Sequence, residues 1–470
     1  MRLARLCVFL APLFLAGCML GPDYQRPELD VPAVYQQPVE QGASFANMPW
    51  WELFGDPVLE ELIRVALAEN QDLGIAAARI DEYRAILGIT ESNVYPQVNA
   101  SGSASRAEGS ENVFPGNLVS GSVDNFRASA DVFWEVDLFG RLRRANEAAR
   151  GQLLATEAAR RAISIALVAE VADVYMQLRD LDARQSIAIR TRDARNDSLE
   201  IIQARFDKGT APLLDVNQAQ IQLAVAEAAV AASERAVAQT EHALSALLGR
   251  NPGPIARGRT LHDQLMPPSI PVGLPSELLQ RRPDVLAAEA ELAAQTARIG
   301  VAEAARWPSL SLTGSLGLES AELSDLTESG STFWGLGGSI LAPIFNAGAN
   351  KARVEAELAR TEQALLAYEQ TAQRAFREVE DSLVAVRTYR AEHAARELQV
   401  AAARSAATLS RARYDGGVTS YLEVLDVERS QFNAELSESQ TLGNYIRSVI
   451  QLYKALGGGW TPGETSDTAS

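Results

Sequence analysis

The sequence predicts a mainly α-helical chain with a β portion able to cross a membrane, built by internal duplication. Three observations carry this reading. Segments recur in the same order about two hundred residues apart. Two stretches of more than sixty residues contain no proline, and four segments of about ten residues alternate apolar and polar side chains.

The recurrence is specific. Tyr95-Pro96-Gln97-Val98 returns as Trp307-Pro308-Ser309-Leu310, 212 residues later, and Ala204-Arg205-Phe206-Asp207-Lys208-Gly209 returns as Ala412-Arg413-Tyr414-Asp415-Gly416-Gly417, 208 residues later. Glu170-Val171-Ala172-Asp173 matches Glu378-Val379-Glu380-Asp381, and Gly88 matches Gly300. This period is too long for a solenoid unit and marks duplication of a half-structure. The first repeat is expected over 57–250, with a helix, a strand pair at 95–136, a long helix at 141–206 and a helix at 212–248. The second is expected over 276–456, with a helix, a strand pair at 307–342, a long helix at 348–414 and a helix at 420–456. An extended segment (18–56) precedes them, a linker (251–275) joins them, and a tail (457–470) follows.

Residues 1–17 read as an export signal: Arg2 and Arg5 precede an apolar run from Leu6 to Leu15, followed by Ala16-Gly17-Cys18. The cysteine directly after small residues resembles a lipobox, which would leave Cys18 as an acylated first residue. A plain signal peptide is the alternative. Cys7 leaves with the signal, so Cys18 would be the sole cysteine and no intrachain disulfide could form. Net charge is −17, with no Lys/Arg block, which argues against nucleic acid as a partner.

No later segment is apolar and long enough for a transmembrane helix, so any crossing must use strands. Phe126, Ala128, Ala130, Val132, Trp134 and Val136 alternate with Asn125, Arg127, Ser129, Asp131 and Glu135, and only Phe133 breaks the pattern. Leu310, Leu312, Leu316 and Leu318 alternate with serines, Thr313 and Glu319. The segment 97–106 is weaker, and Trp334, Leu336 and Ile340 face one way from a glycine-rich fourth segment. About ten residues suits a tilted spanning strand. A soluble sandwich also uses such strands, but here they form two isolated pairs separated by long helices. Four strands cannot close a barrel, and open edges are not tolerated in lipid, so spanning requires several chains.

Arg141 to Phe206 contains no proline and one glycine, Gly151, while Lys351 to Tyr414 contains neither. Each stretch predicts a helix on the order of 100 Å long, ending at a glycine turn. Shorter helices are expected at Leu213–Leu248 and Tyr421–Leu456, and before the strand pairs at Pro57–Asn93 and Ser276–Arg306. Their alanine-rich surfaces suit close lateral packing in a wall. A soluble antiparallel coiled coil is the alternative.

Several motifs resemble the outer-membrane factor family, the TolC-like and OprM-like outer-membrane lipoproteins of tripartite efflux systems. They are Gly21-Pro22-Asp23-Tyr24-Gln25-Arg26-Pro27, Trp50-Trp51-Glu52-Leu53-Phe54-Gly55-Asp56-Pro57, Asp137-Leu138-Phe139-Gly140-Arg141, Arg281-Arg282-Pro283-Asp284-Val285, and Tyr414-Asp415-Gly416-Gly417 running into Tyr421-Leu422-Glu423-Val424-Leu425-Asp426. The resemblance implies a homotrimer with a 12-stranded β-barrel continued by a long periplasmic α-helical barrel. It implies a passive exit duct, served by a periplasmic adaptor protein and an inner-membrane pump of the resistance-nodulation-division type. It places a periplasmic gate at Leu422 and Asp426, four apart on one helix face, with Tyr414 and Asp415 tethering neighbouring coils in the closed state. Asp415 is acidic where the OprM-like pattern carries a base, and Lys208 in the first turn is a candidate to compensate. The turns at Lys208-Gly209 and Gly416-Gly417 are expected to meet the adaptor.

No enzyme is expected. His242, His262 and His393 fit no metal-ligand spacing, and Gly335-Leu336-Gly337-Gly338 lacks the Lys-Ser/Thr of a phosphate loop. No cofactor is expected beyond covalent lipid on Cys18. A duct for protein or polysaccharide export, or a lipid-tethered coiled-coil scaffold, are the competing readings.

Overall fold

A computed structural model describes residues 18–37, 49–108, 122–266, 272–273 and 275–458 of the chain. The expected signal peptide, most of the loop between the first two strands, part of the linker and the tail from 459 lie outside the described residues. In order, the elements are α1 (Pro57–Glu69), α2 (Gln71–Ser92), β1 (Gln97–Glu108), β2 (Ser122–Val136), α3 (Arg141–Asp207) and α4 (Leu213–Leu247). Then follow α5 (Pro275–Arg281), α6 (Pro283–Ala304), β3 (Ser309–Ser320), β4 (Thr332–Leu341), α7 (Ala349–Asp415) and α8 (Tyr421–Ala455).

The repeat is visible in the lengths. The long helices α3 and α7 have 67 residues each, and α4 and α8 have 35 each. Both long helices stop the same way. Gly209 (φ 71°) and Gly417 (φ 70°) hold the left-handed conformation, which costs glycine no Cβ clash. Their amides donate to Phe206 O and Tyr414 O, and the next amides, of Thr210 and Val418, reach back to Arg205 O and Arg413 O. This satisfies carbonyls that the helix end would orphan.

Each helix expected before a strand pair is two helices. Asn70 has extended backbone (ψ 128°), and its Oδ1 accepts from Asp72 N and Leu73 N, recapping the chain as α2. Its Nδ2 donates to Leu247 O at 2.9 Å. In the second repeat the break falls at Arg282, because Pro283 disfavours helical backbone before it. Arg282 donates to Ala455 O and Glu378 and pairs with Asp284. Periodicity alone runs through such breaks.

Two compact units divide the chain, each drawing on both repeats. One comprises Met1–Glu28, Arg79–Glu157 and Ala287–Glu369, and the other the remainder. The first holds the sheet, in order β1-β2-β3-β4, antiparallel throughout. Registers such as Ala130↔Leu316 and Leu316↔Trp334 put the apolar residues on one face, and Asp131↔Ser315 and Ser315↔Gly335 put the polar ones on the other. Phe133, opposite Gln97 and Thr313, belongs to the polar face. Among the described residues β1 and β4 are each paired on one side only.

The second unit holds the main core. Trp50 stacks on Tyr453 at 5.4 Å, with Phe54, Leu59, Ile63, Val171, Tyr175, Leu244 and Ile446 buried around them. Asp56 is fully buried yet satisfied, capping Val58 and Leu59 and accepting from Tyr175 Oη, Arg259 N and Gln264. It ties the start of α1 to α3 and to the segment after α4, so a buried, fully hydrogen-bonded side chain serves as a fixed joint.

Candidate functional site

The two glycine turns and the starts of α4 and α8 lie in the second unit, as do all residues expected at the gate. A small apolar cluster supports them: Ile202 on α3, Val216 and Ala219 on α4, and Tyr421, Val424 and Leu425 on α8. Tyr414 packs against this cluster, its ring 5.4 Å from that of Tyr421. Burial pushes the Tyr421 hydroxyl up to about 12, so it is neutral at any physiological pH.

Asp415 has a partner within its own chain. Arg205 Nη2 stands 3.2 Å from Asp415 Oδ1, and the same guanidinium lies over the Tyr414 ring, 4.9 Å from its centre. Arg411 approaches the other carboxylate oxygen at 3.8 Å. The base that answers Asp415 therefore comes from α3, three residues before Lys208, and Lys208 itself is exposed. Arg205 precedes the turn in both copies of the motif as an arginine, Arg205 and Arg413, but its reach to the opposite turn is a tertiary fact.

Leu422 and Asp426 open onto one groove of about 590 Å³ between α4 and α8, with Gln218, Ile221 and Gln222 on the α4 side. Leu422 is 61 % exposed; Asp426 pairs with Arg429 one turn on. The residues expected to share a face do share it. Glu428, on the same helix but inward, has its carboxyl raised by burial, opposed by Arg411 and Arg195. Asp426 thus faces solvent, while Glu428, two residues on, is partly buried.

Further along α8, Glu438 accepts from two histidines that the sequence keeps far apart. His393 Nε2 on α7 lies 3.0 Å from Oε1, and His262 Nε2 lies 3.2 Å from Oε2. Pairing with Glu438 raises the His262 imidazole, against the opposing effect of burial. No local motif announces this cluster, because its members come from three separate elements.

Cys18 is a free, exposed thiol in the first unit. The residues after it are locked in place: Leu20 N donates to Phe139 O, and Arg144, only 1 % exposed, donates to Leu20 O and Gly21 O and pairs with Asp23 at 2.7 Å. Gly21 (φ 86°) passes so close to Gly300 that a Cβ there would lie 2.4 Å from the Gly300 Cα. Phe139 in turn stacks on Trp307 at 5.3 Å. The segment after Cys18 is thereby held at the foot of the strands, beside an aromatic pair.

Comparison with known proteins agrees with this architecture. A family model described as outer membrane efflux protein matches residues 62–250 and 274–458. The chain is 36 % identical over 467 residues to the cation efflux system protein CusC of Escherichia coli, covering 97 % of this chain and 99 % of that one. It is 36 % identical over 473 residues to the toluene efflux pump outer membrane protein TtgC of Pseudomonas putida, covering 98 % and 96 %. Among solved structures it is similar to the open state of the MtrE outer membrane channel of Neisseria gonorrhoeae, with a TM-score of 0.85 and 32 % identity over 94 % of this chain and 98 % of that one.

Proposed function

The chain belongs to the outer membrane efflux protein family and is an outer-membrane efflux channel, and from that premise we propose a trimeric duct whose inner end is gated by the tips of its helices. Three copies supply twelve strands to one barrel and twelve helical strands to its periplasmic extension. The single observation that carries this is the sheet: among the described residues, four strands, apolar on one face, with β1 and β4 each paired on one side only. Unpaired strand edges in hydrocarbon leave backbone groups without partners, and only closure by further copies removes them.

The gate reading rests on the groove shared by Leu422 and Asp426 and on the tyrosine pair behind it. In a trimer Leu422 makes an apolar ring and Asp426 an acidic ring on one axis; the first closes by dewetting and the second favours cations. Tyr414 and Asp415, held by Arg205, fix where α7 ends and α8 begins. The turns at Lys208-Gly209 and Gly416-Gly417 are exposed and meet a periplasmic adaptor, through which an inner-membrane pump of the resistance-nodulation-division type loads the duct. Acyl chains on Cys18 anchor the chain in the outer membrane, at the foot of the strands to which Arg144 holds it.

Cross-linking tests the closure. Within one chain β1 and β4 are three strand spacings of about 4.8 Å apart, beyond the reach of a short bismaleimide. Single cysteines scanned along β1 against one at Ser339 on β4 should give dimers and trimers on denaturing gels. Products limited to single chains at every position would refute it.

A further inference from the structure

On the polar face of the sheet, Arg127 is the only Lys or Arg among the described strand residues. Its side chain crosses toward β4, where its Cζ lies 4.3 Å from the centre of the Phe333 ring. On the way it passes Glu319, 3.9 Å from Nη1, whose other oxygen accepts from Asn125 at 2.8 Å. The path is clear because the position beside Phe333 on β3 is Gly317. A Cβ at Gly317 would lie 2.3 Å from the Ala128 carbonyl oxygen, so close approach of β2 and β3 requires the glycine. Phe333 is, with Phe133, one of two aromatic rings among the described strand residues of this mainly polar face, and stacking on a guanidinium gives it a partner there.

The other charges of this face are carboxylates. Glu135 is closed by a two-pronged pair with Arg141. Asp131 is held by the hydroxyls of Ser101 and Ser129 at 3.0 and 2.9 Å. Arg127, 37 % exposed, is therefore the one basic side chain on this face among the described strand residues.

We propose that Arg127, positioned by Phe333 and Glu319, sets the charge preference of the strand-lined part of the pore, offsetting Asp131 and Glu319 so that anionic solutes can leave. This rests on the polar face lining a pore, as proposed above. Removing the guanidinium leaves two carboxylates per chain, and a water-filled passage with that surplus excludes anions. Phe333 is a positioning residue: without the ring, the guanidinium keeps its charge but is no longer pinned in place.

The test is the reversal potential of the full-length protein in planar bilayers under a potassium chloride gradient. Arg127→Gln should raise the potassium-over-chloride permeability ratio by about twofold or more, and Arg127→Lys should keep it near the wild-type value. Phe333→Leu should move it less than Arg127→Gln while leaving folding and conductance intact. Conducting Arg127→Gln channels with an unchanged reversal potential would overturn the proposal. Wild-type protein that inserts but passes no current would instead overturn the pore reading, and this proposal with it.

Discussion

Arg205 and Asp415 join the ends of the two longest helices: Nη2 and Oδ1 are 3.2 Å apart, with the same guanidinium resting on the ring of Tyr414. Both groups are substantially exposed, so the pair adds at most about 1 kcal/mol to stability. Its expected effect is on position. Asp415→Asn should leave the melting temperature within a degree or two of wild type, at order-of-magnitude level, yet raise single-channel open probability. Unaltered gating in bilayers would show that the pair does not restrain the helix ends.

Leu422 separates a structural role from a gating one. Within a chain it is largely exposed, so Leu422→Ser should change stability by no more than about 0.5 kcal/mol. In a trimer the same change wets the apolar ring and should increase conductance several-fold, on the order expected when a dewetted constriction fills. Equal conductance of variant and wild type counts against a ring at this position.

The His262–Glu438–His393 cluster predicts a pH dependence. His262 is raised above its ordinary 6.5, so its contribution is complete below that value and fades as pH rises through the folded one. Glu438 is lowered below its ordinary 4.5 by its two histidine partners, despite burial that opposes them. Its contribution is present above 4.5 and is lost as pH falls through the folded value. The joint is strongest between about pH 4.5 and 6.5. Melting measured at pH 6 and pH 8 should show a higher midpoint at pH 6, and His262→Gln should shrink that difference. The same difference in the variant would assign the pH dependence to other groups.

How much of this was legible follows from which interactions are local. Alternation placed Phe126 to Val136 correctly on an apolar face because a strand's side chains depend only on sequence parity. The turn glycines were legible because a left-handed helix end needs glycine whatever packs against it. Asn70 was not, since an asparagine within a periodic run does not declare that the run divides, whereas Pro283 carried a local signal for the break at Arg282 that the expected helix over 276–306 ran through. Phe133 looked like an error in the pattern until the register showed it on the polar face. The partners of Arg127, Asp415 and Glu438 come from elements distant in sequence, as far as 210 residues for Arg205 and Asp415, and adjacent only after folding, so no spacing rule reaches them.

Asn70 tests the broken helix directly. Asn70→Ala removes the cap of α2 and the bond to Leu247 O, and should cost about 1–2 kcal/mol. Asn70→Asp keeps the cap and loses only the donor, so it should cost less. Equal losses in thermal melts would mean that the cap contributes little.

Arg144 tests how the chain's beginning is held. Arg144→Ala leaves the carbonyls of Leu20 and Gly21 without their donor and should release the segment that follows Cys18. Chymotrypsin should then cut after Tyr24 at least about tenfold faster than in wild type, as a loss near 1.4 kcal/mol would give, read by mass spectrometry of the purified chain. Matching cleavage rates would show that the segment is held by other contacts.

Mass and current measured on one purified sample bear most directly on closure by copies. Native mass spectrometry of the detergent-solubilised protein should give three chains per particle, and the same material should produce stepwise ion currents in planar bilayers. A single-chain particle that passes no current would contradict the account.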